Sequence, residues 1–382
     1  MNRSNPQSKS NLRVLALEPY FGLSHKTFLE GYRKHSRHSV EIWALKPWKW
    51  KWRMRGSAIH FADAAAARPA SDAPHVVLAS DFLNLADWRA LAPRGFRDAP
   101  AILYFHENQI TYPLGAGAPR EAHYGWIHLS SALAAERILF NSSYHREAFL
   151  HAVEEVLALM PDHVPPDIPD KIRRRSGVFP VGIDFEPHRA VLAAKPRVPH
   201  EKPVLVWNHR WEDEKGPDIF LEGLLALKAK GIPFRAIVCG QAFKKVPQAL
   251  RRLESELAGE ILHFGFFESR EDYLAALAEA DVVVSTARQE FFGVSVVEAM
   301  YMGCLPVLPR ALSYPEILPP GSRDLFLYDF PATFPDFLAR FLSDLPVTRR
   351  EDIQQAACRF DWKLLAPELD DRVEEAHHEG RP

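Results

Sequence analysis

Cysteine is scarce. The 382-residue chain carries three, Cys239, Cys304 and Cys358, far apart and without a C-x-x-C, so neither a disulfide framework nor a cysteine zinc site is expected. Cys239 and Cys304 stand among apolar residues and read as buried thiols. Net charge is nearly absent too: 47 Lys and Arg against 49 Asp and Glu leave -2, so any affinity for nucleic acid must come from a local patch. No uncharged apolar run reaches the roughly eighteen residues that a membrane-spanning helix needs. The first apolar run, Leu12 to Leu17, is short and meets Glu18 and Pro19 at once, unlike a signal peptide. A cytoplasmic protein without membrane insertion is the expectation. Also missing is a G-x-G-x-x-G after that run, which disfavours a dinucleotide dehydrogenase.

What is present is core material: 47% of residues are hydrophobic and 25% charged, in a chain long enough for two domains. Short Val-, Ile- and Leu-rich runs alternate with helical patterns, the signature of parallel sheets covered on both faces. Strands are expected at Leu12–Leu17, Val40–Leu45, His75–Ser80, Ala101–Phe105, Arg137–Phe140 and Gly177–Val181. The rhythm restarts at Pro203–Trp207, Phe234–Cys239, Glu260–Phe264, Asp281–Ser285 and Leu305–Leu308. The fold class is therefore α/β, with two Rossmann-like doubly wound domains facing a central cleft. Expected boundaries are 1–185 for the first domain, 186–203 for a proline-bearing linker, 204–358 for the second domain, and 359–382 for a helix and tail that cross back to the first domain. In such sheets ligands bind beyond the carboxyl ends of the strands.

Gly22, Ser24 and His25 follow the first strand, where small residues at a helix start favour an anion; a plain helix start with Ser24 as N-cap is the alternative. After Trp207 comes Asn208-His-Arg-Trp-Glu-Asp-Glu-Lys-Gly216, with Arg210 and Lys215 at a strand end. Two cations there would hold a diphosphate and offset the charge that grows as it leaves; pairing with Glu212, Asp213 or Glu214 would be their structural use. Further on, Glu290 ends a strand-to-helix loop and Glu298 lies on the helix, a spacing suited to two sets of sugar hydroxyls, while Phe292, Gly293 and Val294 open the helix toward a phosphate. Glu298 sits among apolar residues, and a buried carboxylate needs partners.

Arg210, Lys215-Gly216 and Glu290-x7-Glu298 followed by Gly303-Cys-Leu-Pro-Val307 resemble the nucleotide-sugar site of retaining GT-B glycosyltransferases of the glycogen-synthase-like group. That resemblance implies that Arg210 and Lys215 contact the diphosphate, Glu290 the donor sugar and Glu298 the ribose. Phe360-Asp-Trp362 resembles the crossover helix of that fold. The first half narrows the family. Glu18-Pro-Tyr-Phe-Gly-Leu-Ser-His25, Trp48 to Arg53, Ser80 to Leu85, Tyr104 to Gln109 with Tyr112-Pro113, and Met160-Pro-Asp162 resemble the tRNA-queuosine mannosyltransferases, so that the likeness runs over nearly the whole chain. It implies a metal-independent transfer of mannose from GDP-mannose, with no cofactor, to queuosine in a tRNA anticodon. The nucleobase is implied by the family alone, and no pattern in the chain bears on oligomeric state.

His106 follows the fourth strand where the superfamily places a histidine against the donor sugar, giving a catalytic set of His106, Arg210, Lys215 and Glu290. Glu107, Asn108, Asp81, Asn84 and His25 are candidates for the acceptor side. Lys46 to Arg55 carries five cations and three tryptophans without an acid, and Lys49, Trp50, Lys51 and Arg53 suit single-stranded RNA; an edge strand with a tryptophan-lined core face fits the alternation equally. Lys171 to Arg175 is a second basic cluster. Rival readings are a GT-B transferase for a lipid, polysaccharide or small-molecule acceptor, and a non-catalytic RNA-binding protein on a transferase scaffold.

Overall fold

The computed structural model describes residues 11–111, 121–195, 197, 200–242 and 246–380; Tyr112 and Pro113 of the motif above, and Pro196 and Pro199 of the expected linker, lie outside them. The chain divides into two α/β units. The first comprises Met1–Asn141, Arg146–Gly182 and Trp362–Pro382, the second Ser142–His145 and Ile183–Asp361.

The first unit is built on β1 (Arg13–Glu18), β2 (Ser39–Ala44), β3 (Val76–Ser80), β4 (Ala101–Phe105), β5 (Arg137–Phe140) and β6 (Ser176–Val178), in the order β2-β1-β3-β4-β5-β6. The second uses β7 (Val204–Trp207), β8 (Arg235–Cys239), β9 (Ile261–Gly265), β10 (Val282–Val284), β11 (Leu305–Pro309) and β12 (Leu327–Tyr328), in the order β12-β11-β10-β7-β8-β9. Every pairing is parallel. The central strands β3 and β4 are buried along their whole length, as strands covered on both faces must be. In each sheet the strand order reverses once, between β1 and β3 and between β7 and β10, and those are the crevices where doubly wound sheets hold ligands.

The expected fold class is the observed one. Each of the eleven expected strands is present, Ala101–Phe105 and Arg137–Phe140 with the expected ends and the other nine with shifted ones, and the twelfth, β12, is a two-residue edge strand too short to stand out as a pattern. Three local readings change. The tryptophan-lysine segment is no strand: helix α2 starts at Trp50 and runs to Ala66. The stretch after Phe185 opens as a helix, Glu186–Ala194, which tolerates Pro187 in its first turn because a missing N–H costs nothing there. Helix α1 (Leu23–His35) has Gly22 rather than Ser24 as its N-cap.

The last helix, Trp362–Glu379, belongs to the first unit. Its Asp370, buried, accepts hydrogen bonds from Tyr32 Oη at 2.8 Å, Ser36 Oγ at 2.5 Å and the Arg37 N–H at 2.9 Å. Burial and the neighbouring Asp370 charge push the Tyr32 phenol well above its ordinary value. The Trp362 indole lies where side chains at Gly31 and Gly182 would stand: a Cβ there would come within 2.1 Å and 2.3 Å of the ring. Gly31→Ala is therefore expected to cost about 1–3 kcal/mol through overpacking, read as a lowered denaturant midpoint. Gly259→Ala, where a Cβ meets nothing within 4 Å, is the neutral control.

Candidate active site

Each switch-point crevice carries a cluster of buried charge. In the second unit, β7 ends into Asn208–Lys215 and β10 into Ser285–Glu290, and the two strands are neighbours. The Lys215 loop is locked onto the end of β10 by Thr286, whose hydroxyl donates to the carbonyls of Lys215 at 3.1 Å and Gly216 at 2.8 Å. Gly216 has φ 65°, and a Cβ there would lie 2.0 Å from the Thr286 carbonyl oxygen, so only glycine allows this approach. The consequence is that Lys215 Nζ, buried, donates to the Gln289 carbonyl at 2.8 Å and lies 3.3 Å from Glu290 Oε2.

Glu290 Oε1 accepts from the Phe291 and Phe292 N–H groups at 3.1 Å and 3.3 Å. Burial would raise its pKa, but Lys215, acting together with the Phe292 N–H and the other donors around it, holds the carboxylate below the ordinary range. Gly293, with φ 98°, caps the helix Val294–Tyr301, so the first turn beyond Val294 presents its N–H groups beside that carboxylate. Phe292 is buried edge-on against Phe360, a packing role. Arg210 is ion-paired with Glu212 at 3.2 Å and Glu214 at 3.1 Å, and would have to exchange these acids for a diphosphate.

Glu298, five per cent exposed, does have the partners its burial demands. Arg270 pairs with it directly, Tyr273 Oη donates at 3.3 Å and His188 Nε2 stands 3.6 Å away. Burial opposes ionisation, but Arg270 and His188 bring the carboxyl down to about 2. Arg270, His188 and Tyr273 were not legible as site residues, because nothing in their own segments marks them; only the buried Glu298 signals that a cation must come from elsewhere. His209, between Asn208 and Arg210, is kept neutral: burial, reinforced by the Lys215 charge, lowers it to about 3.

In the first unit the cluster joins the ends of β1, β3 and β4. Glu18, fully buried, accepts from the Tyr20 N–H at 2.8 Å and Ser80 Oγ at 3.1 Å, and its second oxygen lies 3.0 Å from His25 Nδ1. The His25 ring stacks on His106 with centroids 3.9 Å apart. Asp81 accepts from the His106 N–H at 3.1 Å, while its other oxygen is buried without a partner among the described residues. Burial by itself would make His25 less basic, yet Glu18 pushes it up to about 9. Burial pushes Asp81 up to about 8, only partly offset by His25. Glu18 is a buried acid of this cluster that motif spacing does not single out; its signal in the sequence is a carboxylate closing an apolar strand.

Several expected site residues have structural partners. Asn84 caps the helix Leu85–Leu91, accepting from the Asp87 N–H, and Asn108 builds a turn by accepting from Thr111 N–H and Oγ1, both at 2.9 Å. Glu107 accepts from Gln109 Nε2. Gly22 is extended, and a Cβ there would lie 2.7 Å from the Pro47 ring, so the glycine permits close packing; Ser24 lies in the first turn of α1. Trp50 faces inward onto Tyr124 and Phe82, and Lys51 pairs with Glu121. In the second basic cluster Lys171 pairs with Asp167, Arg173 with Glu147, and Arg175 donates to the carbonyls of Leu133 and Ala135. Cys239 and Cys304 are buried, which pushes their thiols up to about 12 and about 11; neither is a nucleophile.

Among the described residues the group able to hold a metal is Glu18, His25 and His106, whose donor atoms lie within 4.8 Å of one another. Glu18 already commits its oxygens to Tyr20, Ser80 and His25, and the two imidazoles face each other ring to ring. As the side chains stand, hydrogen bonding and ring stacking join the group.

Two outcomes are expected. Lys215→Met or Glu290→Gln should lower turnover of a nucleotide sugar at least about 100-fold, with thermal melts showing that the fold survives. Arg270→Ala should raise KM for the donor more than it lowers kcat. Because the Glu298 pKa is lowered to about 2, the folded protein keeps this carboxylate charged until pH falls close to that value; without Arg270 the acid limb of the donor-KM profile should move to higher pH.

Comparisons with known proteins place the two halves of the chain under two family descriptions. Residues 13–183 match the family described as tRNA-queuosine alpha-mannosyltransferase N-terminal, and residues 189–359 match glycosyl transferases group 1. The tRNA-queuosine alpha-mannosyltransferase of Drosophila melanogaster is 36% identical over 312 residues, covering 80% of this chain and 81% of that one. Among solved structures, HepE of Anabaena in complex with UDP aligns with a TM-score of 0.67 at 16% identity, covering 95% of this chain and 100% of that one. Sucrose-phosphate synthase of Thermosynechococcus elongatus aligns with a TM-score of 0.71 at 14% identity, covering 96% and 100%. At those identities the structures speak to the shared GT-B fold. The sequence match across both units goes further: the chain belongs to the tRNA-queuosine alpha-mannosyltransferase family of glycosyltransferases.

Proposed function

We propose that this protein transfers mannose, with retention, from GDP-mannose to the queuosine nucleoside of a tRNA anticodon. The observation that carries the reading is the 36% identity to the fly enzyme over four-fifths of both chains. In this reading Lys215 and Arg210 bind the diphosphate and offset the charge that develops as the sugar leaves, which a buried ammonium does effectively because no water screens it. Glu290, kept ionised by Lys215, accepts hydrogen bonds from the donor sugar, and Glu298 accepts them from the ribose. No side chain is assigned as a nucleophile; the leaving phosphate oxygen takes the proton of the attacking hydroxyl on the same face, so positioning supplies most of the rate. His106 hydrogen-bonds the donor sugar. Asp81 and His25 hold the acceptor, and no metal or other cofactor takes part.

The test is product analysis. Protein, GDP-mannose and tRNA bearing queuosine should yield a nucleoside heavier by one hexose, while the same tRNA with guanosine at that position should yield none. Transfer to a lipid extract or a polysaccharide, with queuosine-tRNA inert, would replace the reading by the rival acceptor class. Hydrolysis or transfer of the sugar nucleotide by any route removes the non-catalytic alternative.

The acceptor cluster gives a second expectation. A buried Asp whose pKa is raised is charged in the unfolded chain above about 3.8 but neutral in the folded one until about 8. Stability is therefore lost as pH rises between those values. Asp81→Asn removes that loss, so the variant should melt higher than wild type at pH 8 while its kcat/KM for tRNA falls; equal melting temperatures across pH 5 to 8 would refute burial of the carboxyl as the cause.

A further inference from the structure

Trp48 and Trp52 are 66% and 63% exposed, a poor use of two indoles in a protein that buries Trp88, Trp207 and Trp362 completely. They frame the start of α2, and two features there run against folding preference. Lys49 caps the helix with φ 53° and ψ 60°, a left-handed conformation uncommon for a residue with a side chain. Gly56 sits inside the helix, where glycine is less favourable than alanine. A Cβ at position 56 would fall 2.9 Å from the Trp52 ring, so the glycine makes room for an exposed indole to lie along the helix.

Cations surround the pair. Lys49 Nζ stands 5.6 Å from the Trp48 ring centroid, and Arg53 Nε donates to the Lys46 carbonyl at 3.2 Å. Glu121 takes up Lys51 and Arg55, but among the described residues no carboxylate pairs with Lys46, Lys49 or Arg53. The patch is also anchored to the acceptor cluster. Between the exposed indoles, Trp50 turns inward onto Phe82, which packs on His25 at 5.3 Å, and Pro47 lies against Gly22 in the loop that follows Glu18.

We propose that Trp48 and Trp52, with Lys46, Lys49 and Arg53, form a stacking platform for unpaired bases of the RNA that carries the acceptor nucleoside. Flat aromatic faces receive bases of any identity, and unpaired cations meet the phosphates between them. The proposal rests on the tRNA reading above and goes past it in naming the surface. It also divides the tryptophan segment differently from the expectation drawn from sequence: Trp50 and Lys51 support the platform, while Trp48 and Trp52 contact RNA.

The experiment uses the full chain and a fluorescently labelled anticodon stem-loop. Trp48→Ala and Trp52→Ala should each weaken binding about tenfold or more. Lys46→Ala with Lys49→Ala should reduce the slope of log affinity against log salt by about 0.7 for each phosphate no longer neutralised. Gly56→Ala is the sharpest arm, since it favours the helix yet displaces the Trp52 ring: RNA affinity should fall while the melting temperature holds or rises. In every variant the affinity for GDP-mannose should stay at the wild-type value. Wild-type RNA affinity in the tryptophan variants, in a protein that still mannosylates queuosine-tRNA, would overturn the platform and leave the function standing. Failure of the wild-type protein to bind the stem-loop would overturn both. If the tryptophan substitutions abolish binding to anionic phosphatidylserine vesicles while leaving RNA binding intact, the patch is a membrane contact and the proposal fails.

Discussion

A buried ammonium needs a partner charge, and at the end of β7 that partner is Glu290. Lys215 reaches it because Gly216 lets the loop pass close against the Thr286 carbonyl, and Thr286 in turn holds the loop by its hydroxyl. Once Lys215 is out of water, Glu290 stays ionised, and the helix from Val294 opens beside it. The buried ion pair of the second unit thus follows from one close backbone approach between two neighbouring strand ends. An ion pair of this kind is weak evidence for stability, since desolvation consumes most of the Coulomb gain; its persistence at a ligand crevice speaks for binding.

The first unit solves the opposite electrostatic problem. There the carboxylates Glu18 and Asp81 outnumber the cations in reach, and the fold responds by charging His25 and leaving Asp81 protonated at neutral pH. Two sheets of like topology thus carry different charge clusters at the same topological position: a carboxylate against an imidazolium with a neutral acid beside them in the first, and cations held by acids in the second.

Legibility differed by residue type. Arg210, Lys215, Glu290 and Glu298 stood out through the family pattern they resemble, since spacing by itself left ion pairing with neighbouring acids as an explanation for Arg210 and Lys215. Asn84, Asn108 and Gly22 looked chemical by their positions, but short polar side chains and glycine at strand ends are also what turns and caps consume. The structural partners of these residues come from hydrogen bonds and close packing, and a sequence does not display those. The tryptophans misled in another way. Alternation at 48, 50 and 52 suits a strand, yet Lys49 starts a helix and rotates Trp50 alone toward Phe82.

Sequence by itself determined the α/β class, the succession of strands, the restart of the pattern after Pro203 and the charged pattern of the donor side, because hydrophobic periodicity and local spacing are carried by neighbours in the chain. Tertiary structure decided which groups meet. Glu18, His25, Asp81 and His106 come from three strands and a helix, and Arg270 and His188 reach Glu298 from separate elements. Pairings at such separations depend on strand order and on the exclusion of water, and neither is written in any one segment.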